Sequence, residues 1–315
     1  MRFPLLMLAL ALLVAALFLL SLVTGPAEAG PGESLWALLA GGDGPLTMVL
    51  REIRLPRAIL AVMVGVSLGL SGAAMQGYLR NPLAEPGLIG VSSAAALGAV
   101  LAIQTGFAAL FALALPVSAL AGAGIGVGLI LFLAGPQGGA LVLILAGIAL
   151  SALASALTSL VLNLSPNPFA ANEIVFWMMG SLADRSFTHV WMALPVMALG
   201  WLALSRLGRG LEALTLGEDA AASMGVDLRR LRLMLVGGVA ASVGAVTAVA
   251  GAIGFVGLVV PHVLRPLVGA RPARLLPASA LGGAALVLAT ATVNLWLVRR
   301  SQARLFTSGP RTRGL

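Results

Sequence analysis

The sequence predicts an all-α, polytopic transmembrane bundle of about nine to ten spans, and three observations carry that prediction. Of 315 residues, 60% are hydrophobic and 10% charged, with a mean hydropathy of +1.05. A soluble domain carries about 25% charged residues. The apolar residues also gather into runs of about twenty, the length that crosses a hydrocarbon core of about 30 Å as a helix. The alternating segments of about ten residues that mark a membrane β-barrel are missing.

The first run, Leu5 to Val23, follows Arg2 and stops at Gly25-Pro26. It reads as an uncleaved first span. The rival is a signal peptide cleaved after Ala27-Glu28-Ala29, but the run exceeds the usual apolar core of about 7–15 residues. A short amphipathic piece, Ser34 to Ala40, precedes the basic segment 51–57 and a span from Ala58 to Tyr78. Arg80-Asn81-Pro82 breaks that span. The tract from Gly87 to Gly135 is too long for one crossing, and Gly106 with Pro116 divides it into spans near 88–105 and 112–134. Residues 136–139 (Pro-Gln-Gly-Gly) form a turn, and Ala140 to Leu162 crosses again. Pro166 and Pro168 end that helix, because each holds the residue before it outside the α region. Glu173 to Leu182 is apolar but too short to cross, which suits a re-entrant or interfacial helix. Val190 to Leu204 crosses. The polar stretch 205–230 follows, then spans near 233–250, 253–268 and 275–298. Residues 1–298 thus read as a single transmembrane domain, with 205–230 a cytoplasmic loop within it and 299–315 an atypical basic tail.

All 19 basic residues are Arg, and the chain has neither Lys nor Cys. A Walker A loop needs its lysine on the nucleotide phosphates, so this chain carries no ATPase site of that kind. Schiff-base, thiol and Cys-ligated metal chemistry are excluded with it. The formal charge of +8 does not indicate nucleic acid, because the arginines are scattered over loops separated by spans. They indicate orientation. With the N-terminus inside, ten arginines up to Arg274 fall on the cytoplasmic side and four (Arg51, Arg54, Arg57, Arg185) outside. Nine spans would leave the five arginines of the tail outside as well, an irregularity near the C-terminus.

Hydrolytic signatures are missing: no His-Glu-x-x-His, no Gly-x-Ser-x-Gly, and two histidines far apart, His189 and His262. Nearly all 11 acidic residues sit at span ends or in loops, whereas ion-driven carriers place ionisable groups at membrane depth. That favours a path driven by a partner's energy over a proton-coupled carrier or an inert scaffold. Glu218 to Met224 forms two helical turns with Gly225 as the C-cap. By spacing alone it suits a helix docked in a partner's groove and a solvated loop equally.

Six blocks in order resemble the permease subunit of iron-chelate, cobalamin and haem ATP-binding-cassette importers, the vitamin B12 permease type. They are 54–57 (Arg-Leu-Pro-Arg), 72–77 (Gly-Ala-Ala-Met-Gln-Gly), 81–92 beginning Asn-Pro-Leu-Ala-Glu-Pro-Gly, and 176–181 (Phe-Trp-Met-Met-Gly-Ser). Leu216-Gly217-Glu218 through Met224-Gly225, and Gly251 through His262 with Arg265, complete the set. The resemblance implies a homodimer in a bacterial inner membrane. It also implies two cytoplasmic ATPase subunits that use ATP and Mg, a periplasmic binding protein, an iron-chelate cargo, and no cofactor on this chain. It gives Arg54 and Arg57 to binding-protein docking and Asn81 with Leu83 to the cytoplasmic gate. Gly217, Glu218, Ala221 and Gly225 take the ATPase coupling. Met75, Gln76, Trp177, Met178 and Gly180 take the pathway or its plug. Residues 88–93 and 176–186 look most like the haem permeases, with siderophore and cobalamin permeases as alternatives. The family usually has a tenth span; here Asn294 runs directly into a segment, 295–300, that resembles the end of one.

Overall fold

The small residues in two helices set the architecture. A computed structural model describes residues 2–25, 30–40, 44–111, 113–135, 138–166 and 168–307. The expected cleavage site at 27–29, part of the 136–139 turn, and residues 308–315 lie outside these or partly so. Helix α1 (Phe3–Val23) and the short α2 (Pro31–Ala40) lead to α3 (Pro45–Met48). A π turn over Val49–Arg54 joins α3 to α4 (Leu55–Tyr78). Pro56 explains the π turn: it has no N–H to continue the ladder, and the Leu55 N–H reaches back to the Leu50 carbonyl instead. Then come α5 (Val91–Gln104), α6 (Ala114–Ala134), α7 (Ala140–Asn163), α8 (Pro168–Met178) and α9 (Phe187–Ser205). The chain continues with α10 (Gly208–Leu214), α11 (Glu218–Ser223), α12 (Leu228–Ala250), α13 (Val256–Leu264) and α14 (Pro272–Thr307).

Among the described residues, seven helices are long and apolar enough to cross a membrane. The windows of α4 and α12 are 83% and 78% buried, against 17–33% for the others, so these two are the central posts. Their Gly, Ala and Ser content lets neighbours approach backbone to backbone. Gly65 meets Gly283 and Ala284, and Gly69 meets Ser279, so α4 and α14 run antiparallel. Gly98 meets Ser118 and Gly122 in the same sense between α5 and α6. Trp201 Nε1 donates to Ser67 Oγ at 2.8 Å, pinning α9 to α4. Leucine-rich α1 is left facing outward.

One end of the bundle gathers Tyr78, Gly138, Leu214, Glu218 and Leu228 around a small cavity, with Gly208 against Ala273. Arg274 stacks over the Phe3 ring there, 5.4 Å from its centroid. This is the basic end. Among the described residues the chain travels between it and the opposite end nine times, but two of those passes are broken. The spans expected near 88–105 and 253–268 are helical only as α5, 14 residues, and α13, 9 residues. At 1.5 Å per residue these reach about 21 and 14 Å, short of the 30 Å core. Pro82, Pro86 and the left-handed Gly90 (φ 73°) keep the first from starting earlier. Gly251 (φ 73°) and Phe255 (φ 65°) do the same for the second. The non-helical residues 252–255 line cavities at this depth, and the two breaks pack on one another where Gly257 lies against Pro86 and the Leu68 carbonyl, and Gly72 against the Gly257 carbonyl.

Three other boundaries differ from expectation. The re-entrant segment is Pro168–Met178 rather than Glu173–Leu182, because Gly180 turns left-handed (φ 75°). Residues 208–214, expected as loop, form α10. Helix α12 starts at Leu228, where the Asp227 side chain caps the Arg230 N–H at 2.9 Å. The junction at 294–295 lies within a single unbroken helix, α14.

Candidate functional site

A cavity of about 710 Å³ runs along α14 from the opposite end towards the middle of the bundle. Met179, Leu182, Phe255, Val259 and Leu286 make its walls apolar. Its polar lining comes from Arg57 at the rim, Ser181, Thr290 and Asn294. Two glycine backbones build the floor: Gly180 packs on the Ala250 and Ala252 carbonyls, and Gly251 on the Trp177 carbonyl. Ser181 N–H donates to the Ala250 carbonyl at 2.7 Å, which ties the end of α8 to the end of α12. Behind residues 252–255 a second cavity of about 140 Å³ holds Glu85 and Ser92. Glu85, half-buried, lines that cavity with Leu68 of α4 and Val243 of α12.

At the basic end Asn81 and Leu83 are exposed. The Asn81 side chain accepts the Leu83 N–H at 2.9 Å, and its carbonyl accepts the Ala84 N–H at 3.2 Å, folding the chain back towards the bundle. Of the expected pathway residues, Gly180 lines the large cavity. Met75 is 1% exposed and belongs to the core, and Met178 packs beside Val100, Ile103 and Ile174. Trp177 bridges the two cores, and Gln76 is buried in a hydrogen-bonded cluster. Met179, Phe255, Thr290 and Asn294 were missed. Hydropathy ranks Met179 like its neighbours, and the other three lie in stretches read simply as spans.

Helix α11 projects from the basic end. Gly217 starts it at φ 108°, ψ 162°, a region open essentially to glycine alone. A Schellman motif ends it, with Val226 N–H on the Ala221 carbonyl, Gly225 N–H on the Ala222 carbonyl, and Gly225 at φ 83°. Ala221 was expected on the docking face; it is 0% exposed and points into the bundle. Leu216, Glu218, Ala222 and Met224 make the outward surface.

Arg54 and Arg57 do not share the exposed face that their spacing suggests. Arg54 is 3% exposed, packs on Gly25, and donates to the Leu22 carbonyl at 2.9 Å. It caps the last turn of α1, where carbonyls lack helical partners. Arg57 is half-buried and turned to the cavity rim. Nearby Arg185 is held below its ordinary pKa by burial, opposed by the Asp184 carboxylate beside it. Arg232 repeats the capping pattern, donating to the Gly135 carbonyl after α6 at 3.1 Å.

Two helical posts, two broken passes and a cavity along their junction define a multi-pass membrane protein of the transporter-permease class. The chain belongs to the FecCD transport family, which it matches over residues 12–307. It is 40% identical to the vitamin B12 import system permease protein BtuC of Salmonella paratyphi A over 294 residues, 92% of this chain and 87% of that one. It is also 40% identical to an uncharacterised ABC transporter permease, YvrB of Bacillus subtilis, over 256 residues, 79% of this chain and 72% of that one. A solved structure of a metal-chelate type ABC transporter in an inward-facing conformation superposes with a TM-score of 0.82 at 33% identity, covering 93% of this chain and 91% of that one.

Proposed function

We propose that this chain is the membrane subunit of an ATP-driven importer that moves a metal chelate, haem first among the candidates, from periplasm to cytoplasm. The observation that carries the reading is the large cavity: apolar walls with four polar side chains suit a bulky chelate with an apolar body and few charges. A narrow ion filter would need rings of carbonyls or charges instead. Cobalamin is the second reading, favoured by the similarity to the vitamin B12 import permease BtuC.

The rest of the machine follows. ATP hydrolysis belongs to two separate cytoplasmic subunits that receive α11, and this chain binds no cofactor. A second copy covers the apolar face formed by Phe255, Val263, Val293 and Leu297, all exposed in the single chain. A periplasmic binding protein delivers the cargo at the end that holds Arg57. The N-terminus and the basic end lie in the cytoplasm, in accord with the distribution of arginine.

The test is reconstitution of the permease with its ATPase and binding protein in liposomes. ATP-dependent accumulation of haem, in preference to cobalamin and a ferric siderophore, is expected. Cobalamin accumulating instead selects the second reading. Uptake that survives ATP depletion but collapses with a protonophore overturns both.

A further inference from the structure

The two broken passes meet on the last turns of α4, and one side chain holds them there. Gln76 is 1% exposed, yet both ends of its amide are bonded. Its Nε2 donates to the Leu258 carbonyl at 3.1 Å, and its Oε1 accepts from Arg265 Nη2 at 2.6 Å. Its backbone carbonyl accepts the Asn81 N–H at 3.2 Å. That last bond closes a Schellman turn in which Arg80, at φ 51°, occupies the position glycine usually fills. Among the described residues, both hydrogen bonds joining α13 to another helix end on the Gln76 amide.

Helix α13 is a body with a joint at each end. Gly251 and Phe255 precede it in left-handed conformations, and Gly269 and Ala270 follow in the same state. Phe255 and Ala270 are strained there, since a side chain disfavours positive φ. Pro261 removes the N–H that would bond the Gly257 carbonyl, and that carbonyl rests on Gly72. Val256 and Val259 of α13 wall the large cavity, while Leu258 and Arg265 face Gln76. The Arg265 Nε is buried without a partner, so the guanidinium has an unused donor beside a neutral acceptor.

We propose that Gln76 and Arg265 form a latch that seats α13 on α4 and makes the cavity wall move together with the gate residues Asn81 and Leu83. Gln76 is then a positioning residue: it acts through the gate and touches no cargo. The consequence for import rests on the function proposed above, whereas the latch is a property of the chain by itself.

The chain has no cysteine, so each introduced cysteine is a unique handle. A spin label at His262→Cys, exposed on α13 and outside the face given to the second copy, reports that helix in the purified permease without cargo. Gln76→Met keeps the length and loses both bonds. It is expected to raise label mobility. In liposomes with ATPase and binding protein it should raise the ATP spent per chelate about tenfold, the factor set by one lost charge-assisted hydrogen bond. Arg265→Met should do the same, and the double variant no more. Gln76→Glu keeps the acceptor for Arg265 but loses the donor to the Leu258 carbonyl, and should recover the part of the coupling that depends on Arg265. A merely structural role would lower the yield of folded permease and leave the ATP-to-chelate ratio of the folded fraction unchanged. Unchanged mobility together with an unchanged ratio in Gln76→Met overturns the latch.

Should Gln76→Met fail to fold, a disulfide supplies the second test. A Cβ at Gly282 would lie 2.9 Å from Val260 Cγ1, so Val260→Cys with Gly282→Cys can bridge α13 to α14. Oxidation must arrest import and dithiothreitol must restore it; import that continues through the cross-link overturns the proposal. If the wild type imports no chelate while Gln76→Met still mobilises the label, the transport reading fails and the latch stands.

Discussion

Replacing Gly72 by alanine adds one carbon where α4 meets α13. That carbon would overlap the carbonyl oxygen of Gly257, a backbone atom without a rotamer to change. Alanine itself favours a helix over glycine by up to about 1 kcal/mol. Against this stand an overpacking cost of about 1–3 kcal/mol and, once α13 is lifted, the Gln76–Leu258 hydrogen bond, about 0.5–1.5 kcal/mol. The net expectation is a destabilisation of about 1–3 kcal/mol. Gly124→Ala is the control. It lies in α6 with nothing within 4 Å of an added Cβ, so only the propensity gain remains. The assay is SDS-titrated unfolding of the detergent-purified permease, followed by the fluorescence of its five tryptophans. The two alanines should shift the midpoint in opposite directions. A Gly72→Ala protein as stable as the wild type would refute the argument from close backbone contact.

Ala221→Asp places an unpaired carboxylate at a buried site and should abolish folded protein, whereas Ala222→Asp on the outward face should fold and fail to co-purify with the ATPase; the reverse pattern would put the wrong face outward. Arg54→Met should cost about 1.5–3 kcal/mol in the same unfolding assay by removing a charged cap, while Arg57→Met leaves the midpoint in place; equal effects would contradict the different surroundings of the two residues. Gly217→Ala forces a methyl-bearing residue into a glycine-only conformation at about 1–3 kcal/mol. Faster hydrogen exchange confined to α11 is the expected reading, and uniform protection would count against it.

Hydropathy made most of the bundle legible. Helices α1, α6, α7 and α9 fall within a few residues of their apolar runs, because a lipid-facing helix must be apolar over its full length. The same measure is blind to backbone form, so 253–268 read as one span although only Val256–Leu264 of it is α-helical. Gly251, Gly254 and Pro261 were the available signals. They carry weight only when it is known that protein encloses them. The spacing of Arg54 and Arg57 implied a shared face, and it failed because Arg54 finds the open carbonyl of α1, a partner 32 positions away. Gln76 and Arg265 stand 189 positions apart, a separation no local pattern can reveal. Ala221 was misplaced because a six-residue Ala-rich helix has no apolar stripe to show which side is inward.

The two arginine contacts made to α1 by other helices have a consequence for how the bundle comes apart. This helix buries little of itself: it lies along α14, with Leu6, Leu10, Val14 and Leu17 against the core, and is joined at its ends by Arg274 over Phe3 and by Arg54 on the Leu22 carbonyl. Contact of that kind makes α1 a separate unit of local unfolding. Like a stave held by two hoops, it can leave while α4 and α12 stay closed, and its amides should exchange through openings smaller than global unfolding.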